Sequence, residues 1–310
     1  MQNPFSLRIF VADGDPDGLR IVDKSNWIGK ALVFPRALLP QVKARPELAQ
    51  TGVYLLLGPR PDGEGDMLYV GEGDPIRPRL ESHYAQKDFW TRAIGFTTTT
   101  AGQLNKAHVQ FLESRLIALA KAAKRLPLDN ANQPAEPSLS EADRADMEVF
   151  LGHMLGMLPV LGVHAFEKAQ RISNFAAAPV LPAPIVSPVV QSDPELLVPT
   201  EPLELILRAK MYEAIGSDIS QGFVVFSGSS VSTDIGNSLS WSQRKQREDL
   251  LKTGVLQADG AVLRFTQDYV FSSPSTAASL IHGRSANGRI EWKATDGRTL
   301  KEIQAAEAGQ

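Results

Sequence analysis

The chain has no cysteine among its 310 residues. That absence excludes disulfides, zinc–thiolate centres and cysteine nucleophiles together. Nor is there a run of about 18 apolar residues, the length a membrane-spanning helix needs. The opening MQNPFSLRIF has neither the basic start nor the apolar core of a signal peptide. A cytoplasmic protein with no membrane partner is therefore expected. No strong charge of one sign is present: charged residues make up 22%, apolar residues 43%, and the net charge is −3. This is the balance of an ordinary globular chain, long enough for two domains.

The average hides a pattern. Residues 69–125 carry nine Lys/Arg against five Asp/Glu, whereas residues 126–221 carry five against thirteen. Phosphate binding depends on a local patch more than on the whole-chain sum, so the basic stretch is where a nucleic-acid site is expected.

Four regions follow from the apolar patterning. Residues 1–50 form an N-terminal β-rich extension with two strand-like runs, SLRIFVA and GLRIV, joined by DGDPDG. That join opens like a calcium loop, but its twelfth position is Lys24 and its flanks read as strands; a polar hairpin turn is expected. Residues 51–160 read as strand, turn, strand, a helix from about Ile76, strand, a long helix over about 104–124, and a last helix from Ser140 with Asp143 as its capping partner. Met147, Phe150, Leu151, Met154 and Leu158 make one apolar stripe, read as core. Residues 161–202 form an acidic linker, with seven of the 21 prolines between 179 and 202, a composition that favours extended chain. Residues 203–304 form a second domain with strands at GFVVFSG, AVLRFT and RIEWKA, and helices from SWSQRKQ, from SSPSTAASLIHG and at the end. The fold class expected is α+β: a small antiparallel sheet flanked by helices, then a second small α+β domain.

The chemistry gathers in the first of these domains. GVY at 52–54 is followed fifteen residues later by YVG at 69–71. Neighbouring antiparallel strands bring Tyr54 and Tyr69 together. Arg79 and His83, at i and i+4, share one helix face. Glu113 is the one acid of the long helix, in FLESRLI. A tyrosine base is unpromising in isolation, because the gap between a pKa near 10 and neutral pH costs roughly 4 kcal/mol. A nearby cation and a guanidinium reduce that cost.

This constellation resembles the GIY-YIG nuclease family. The likeness covers both tripeptides, Arg79, His83, Glu113 and an asparagine beyond the long helix, Asn130 or Asn132, with Asn130 preferred on its distance from the helix. Valine replaces isoleucine in both tripeptides, and Glu72 stands where relatives often carry a basic or small residue. The resemblance implies a DNA endonuclease that uses Mg²⁺ or Mn²⁺. Tyr54 would be the base, Tyr69 would position water or phosphate, Arg79 would bind the phosphoryl oxygens and His83 would help move the proton. Glu113 would hold the metal. Lys106 and Asn130 are further candidates for contact with DNA.

The second domain resembles, over about 222–303, an uncharacterised domain attached to such nucleases. That domain in turn is similar to the restriction-enzyme adenine methylase-associated (RAMA) domain, thought to read modified DNA. Arg244, Lys245 and Arg247 on one helix are candidate phosphate contacts. Arg289 stands where related sequences often have an aromatic, and Trp292 is expected in the core. His108, His153, His164 and His282 lack metal-ligand spacing and are read as structural. The expected role is restriction, defence or repair. A DNA-binding protein using this fold as a non-catalytic scaffold, and an enzyme on RNA or another phosphodiester, are the rival readings.

Overall fold

The computed structural model describes residues 4–60, 65–131, 134–167, 203–219 and 222–308. The Pro-rich stretch 179–202 and Asn132 lie outside them.

The first domain is built on a six-stranded antiparallel sheet in the order β1-β2-β3-β6-β4-β5. Its strands are β1 (Leu7–Val11), β2 (Arg20–Lys24), β3 (Gly29–Pro35), β4 (Gly52–Pro59), β5 (Asp66–Gly73) and β6 (Arg92–Thr98). The N-terminal residues are thus not an appendage: β3 pairs with β6 over seven residues, Gly29 opposite Thr98 to Pro35 opposite Arg92. The DGDPDG turn is closed by its own side chains, Asp13 accepting from the amides of Asp15 and Leu19. After β3 a short helix, α1 (Leu39–Val42), leads back to β4.

Strand alternation sends side chains to two cores. Val53, Leu55, Leu57, Leu68, Val70, Ile94 and Phe96 face α3 (Lys106–Ala123) and α4 (Glu141–Met157). The expected α4 stripe is buried there, with Met154 inaccessible to solvent. Leu161, Val163 and Ala165 extend this core past residue 160. Tyr54, Leu56 and Ala93 face the other way, toward α2 (Arg77–Gln86) with its Leu80 and Tyr84. Both helices of the first core start on side-chain caps: Asn105 accepts from the His108 amide, and Ser140 from the Asp143 amide.

The second domain holds a four-stranded sheet, order β13-β9-β8-β7, and a three-stranded sheet, order β10-β12-β11, all antiparallel. The strands are β7 (Leu205–Arg208), β8 (Glu213–Ile219), β9 (Gly222–Val225), β10 (Ser230–Ser232), β11 (Leu256–Asp259), β12 (Val262–Phe265) and β13 (Tyr269–Phe271). Helices α5 (Trp241–Lys252), α6 (Pro274–His282), α7 (Gly288–Glu291) and α8 (Leu300–Ala308) complete it. The expected strand RIEWKA is instead α7 and a bend. Asn287 caps the Arg289 amide, starting a helical turn, and only Lys293 keeps bridges, to Ile206 and Thr299. Trp292 is in the core, 4.5 Å from Phe223, its indole N–H donating to the Pro274 carbonyl. The protein is α+β throughout. Among the described residues no helix is long and apolar enough to cross a membrane. The two domains are packed together, α8 lying against α2.

Candidate active site

Two tyrosines meet because β4 and β5 pair with Tyr54 opposite Gly71 and Leu56 opposite Tyr69. That register makes the tyrosines diagonal neighbours on one face, with ring centroids 6.2 Å apart. The glycine of the second tripeptide is needed for room, since a Cβ at Gly71 would lie 2.5 Å from the Tyr54 hydroxyl.

Helix α2 crosses this face. Its first turn carries a proline, where no amide partner is required. One turn apart, Arg79 and His83 point at the tyrosines. His83 Nε2 is 2.9 Å from the Tyr54 hydroxyl, and the imidazole stands edge-on to Tyr69 with centroids 4.8 Å apart. The Arg79 guanidinium lies near enough to the same Tyr54 hydroxyl to favour its ionised form. Burial pushes the Tyr54 phenol well above its ordinary range, with Tyr69 and Glu113 adding to the rise and Arg79 opposing it. Burial, Lys87 and Arg79 push His83 down to about 4. The pair is therefore neutral at physiological pH, and His83 Nδ1 is buried without a partner.

Glu113 approaches from the opposite face of the sheet, on α3, which packs on the edge strand β5. Strand alternation puts Glu72 on this side too, where Lys106 Nζ lies 2.7 Å from both of its carboxylate oxygens. The site thus wraps around β5, with the aromatic and imidazole groups on one face and the acids on the other. No hydrogen bond from another described residue reaches the Glu113 carboxylate. Burial and the nearby Glu72 push it up to about 7, against the pull of Arg79 and Lys106.

A half-buried, unpartnered carboxylate beside a second acid is a place where a divalent cation relieves repulsion. Among the described residues no group of three or more His, Asp or Glu is arranged to hold a metal. The donor set fits a hard ion such as Mg²⁺, which keeps most of its waters and takes one or two carboxylates. It does not fit a closed protein cage.

Tyr54, Tyr69 and His83 therefore meet on one face of the sheet beside Arg79, and Glu113 lies within electrostatic reach of Tyr54 and Arg79 from the other face. The candidates for DNA contact fare differently. Lys106 is occupied by Glu72. Asn130 spends both ends of its amide on Val70, accepting from its N–H at 3.0 Å and donating to its carbonyl at 2.7 Å. It fastens the segment after α3 to the edge of β5, beside Tyr69. Arg244 donates to the carbonyls of Leu239 and Gly236, holding a loop. Arg247 points inward, 1% exposed, donating to Leu280 O and Ser232 O. Two residues along a helix turn the chain by about 200°, which puts Arg247 on the buried side while Lys245 stays exposed. Lys245 alone of this trio presents its charge outward, over the Trp241 ring.

The histidines set aside are bound within the fold. His108 accepts from the Asn105 amide, His153 meets Lys24, His164 meets Glu167 and His282 meets the Tyr212 hydroxyl. Sequence reasoning missed Glu72 as part of the acidic side. It also missed Lys87, whose ammonium sits 4.4 Å from the Tyr69 ring centroid and 2.5 Å from Asp129. Neither residue belongs to the recognised pattern, and only the fold brings them in.

Residues 205–304 match the model of a family described as a domain of unknown function (DUF4357). The match begins at β7, seventeen residues before the resemblance noted in the sequence. No curated protein matches the chain, and no solved structure does.

Proposed function

We propose that this chain is a divalent-metal-dependent DNA endonuclease of the GIY-YIG type. The observation that carries the reading is the convergence of Tyr54, Tyr69, Arg79, His83 and Glu113, from two strands and two helices, on one site. Sequence spacing alone does not require these five side chains to meet.

Phosphodiester hydrolysis needs an activated water, neutralised charge on the phosphoryl oxygens and help for the leaving oxygen. When bound at Glu113, Mg²⁺ or Mn²⁺ would polarise phosphate and favour ionisation of nearby groups. Arg79 offers a planar fork, able to keep one N–H on Tyr54 while others meet the phosphate. The Tyr54 proton passes to His83 Nε2 and the phenolate takes a proton from water. The water oxygen bonds to phosphorus as the bond to the leaving oxygen breaks; the leaving oxygen takes a proton from solvent, and His83 returns its proton to solvent. Tyr54 is wholly covered in the ligand-free state, so the side chains around it have to open before water reaches the hydroxyl. Tyr69, more exposed, orients the water or phosphate. The likeness of the C-terminal domain to RAMA domains supports a role in reading DNA, in restriction, defence or repair.

The test is cleavage of plain, methylated, single-stranded and branched DNA, with RNA as competitor, with and without Mn²⁺, for the native protein beside Glu113→Gln. Metal-dependent cutting lost in the variant is expected. Binding without cutting by either protein would replace this reading with that of a DNA-binding scaffold.

A further inference from the structure

The last turn of α2, which carries His83, has its terminal carbonyls capped by two arginines from different domains. Arg36, after β3, donates to Tyr84 O at 2.5 Å and to Lys87 O at 2.7 Å. Arg289, from α7, donates to Tyr84 O at 3.0 Å and to Ala85 O at 3.2 Å, and pairs with Asp88 just beyond the helix. Both guanidinium groups are buried. Gln304 Oε1, on α8, accepts from both, at 3.2 Å from Arg36 and 2.7 Å from Arg289. Around them Asn287 donates to Asp88, the Tyr84 hydroxyl to Glu307, and Lys43 to the Glu307 carbonyl. Trp90, under Arg36 at 4.6 Å, donates its indole N–H to the His83 carbonyl.

Two buried like charges side by side oppose each other; burial first, and then the Arg289 charge, hold Arg36 down at about 9 against the pull of Tyr84, Asp218 and Asp88. For gluing two domains an apolar contact would be cheaper. What the cations do that an apolar contact cannot is satisfy helix-terminal carbonyls and complement the negative end of the helix dipole. The helix concerned is the one that aims Arg79 and His83.

Resting on the nuclease reading, we propose that Arg289 is a positioning residue for the active-site helix. Through the carbonyls of Tyr84 and Ala85 and through Asp88 it holds the last turn of α2, so that cleavage requires the docked C-terminal domain. That domain is then part of the catalytic unit and not only a tethered reader. A loosened last turn would displace His83 from Tyr54 and open its ring to water, and small displacements of positioned groups cost much rate.

The experiment uses the full chain as Arg289→Ala, Arg289→Lys and Asp88→Asn, the last keeping the test open if Arg289→Ala does not fold. Two readouts are taken: kcat and KM for Mn²⁺-dependent cleavage, and the His83 titration followed by NMR. The groups facing His83 are Tyr54, Tyr69, Arg79, Lys87 and Asp129, none of which is changed. For Arg289→Ala, kcat is expected to fall roughly ten- to a hundredfold with KM little changed. The His83 midpoint should rise from about 4 toward 6.5. Arg289→Lys should recover part of both effects, and Asp88→Asn should show smaller shifts in the same direction. Folded variants with native kcat and midpoint would overturn the proposal, as would a fall in kcat with an unmoved midpoint. Absence of metal-dependent cleavage by the native protein would sink the nuclease reading, and the His83 midpoint would still decide the clamp.

Discussion

The Tyr54 hydroxyl and His83 Nε2 share one hydrogen bond of 2.9 Å inside a desolvated pocket. Burial resists charge on either partner, raising the phenol and lowering the imidazole to about 4. Moving the proton between them separates charge where charge is costly. In the proposed reaction, phosphate and metal therefore have to arrive first, which keeps the pair inert in the absence of substrate.

Tyr54→Phe removes only the hydroxyl. Cleavage should fall about 10²- to 10⁴-fold, the range for loss of a general base. Folding should weaken by only about 1 kcal/mol, because one hydrogen bond is lost and the ring still fills its site. Single-turnover cleavage and a thermal melt measure the two effects; unchanged cleavage would remove Tyr54 from the base role.

Glu113 links activity to pH and to stability. Its carboxyl is raised to about 7 from an ordinary 4.5. The folded state therefore holds this proton more tightly than the unfolded chain. Stability from this group is fully present below about pH 4.5 and is lost as pH rises through 7. Allowing for partial exposure, Glu113→Gln should be more stable than the native protein by about 1 kcal/mol at pH 8 without metal. The two should converge near pH 4.5. Cleavage by the native protein should rise between pH 6 and 8 as the carboxylate ionises, and more Mn²⁺ should shift that rise to lower pH. Melts across pH and a pH–rate profile at two metal concentrations test the argument.

Gly71→Ala puts a methyl 2.5 Å from the Tyr54 hydroxyl and from the ring carbon bearing it. Tyr54 is enclosed and cannot retreat without moving His83. The expected cost is about 1–3 kcal/mol, as for overpacking elsewhere, with cleavage lost as the Tyr54–His83 bond breaks. Tm and activity should fall together, and a variant of native stability and rate would show that the ring has room to move.

The two basic residues on α5 should separate cleanly. Arg247→Ala leaves the carbonyls of Leu280 and Ser232 without their partner and should destabilise the second domain by about 2–4 kcal/mol. Lys245→Ala should leave Tm alone. If Lys245 meets phosphate, its loss lowers the slope of log affinity against log salt by about one. Denaturation curves and salt titrations of DNA binding distinguish the two roles.

Local pattern was enough for most elements of the first domain. Ser140 with Asp143, and the apolar stripe after them, specify where α4 starts and which side it buries, because capping and helical periodicity act within a few residues. The order and spacing of Tyr54, Tyr69, Arg79, His83 and Glu113 likewise made a common site readable. The direction of each charge was not readable. Arg247 faces inward and Asn130 is spent on a strand edge, and both look like surface polar residues in the sequence. RIEWKA has the alternation of a strand, yet the Asn287 cap and the bridges of Lys293 decide its path. The pairing of β3 with β6, which makes the N-terminal residues part of the sheet that carries the candidate site, joins residues 57 to 69 positions apart. The clamp of Arg36 and Arg289 on α2 spans 253 positions of chain. Such relationships depend on which surfaces are left to be covered once each domain has folded, and no local sequence preference encodes that.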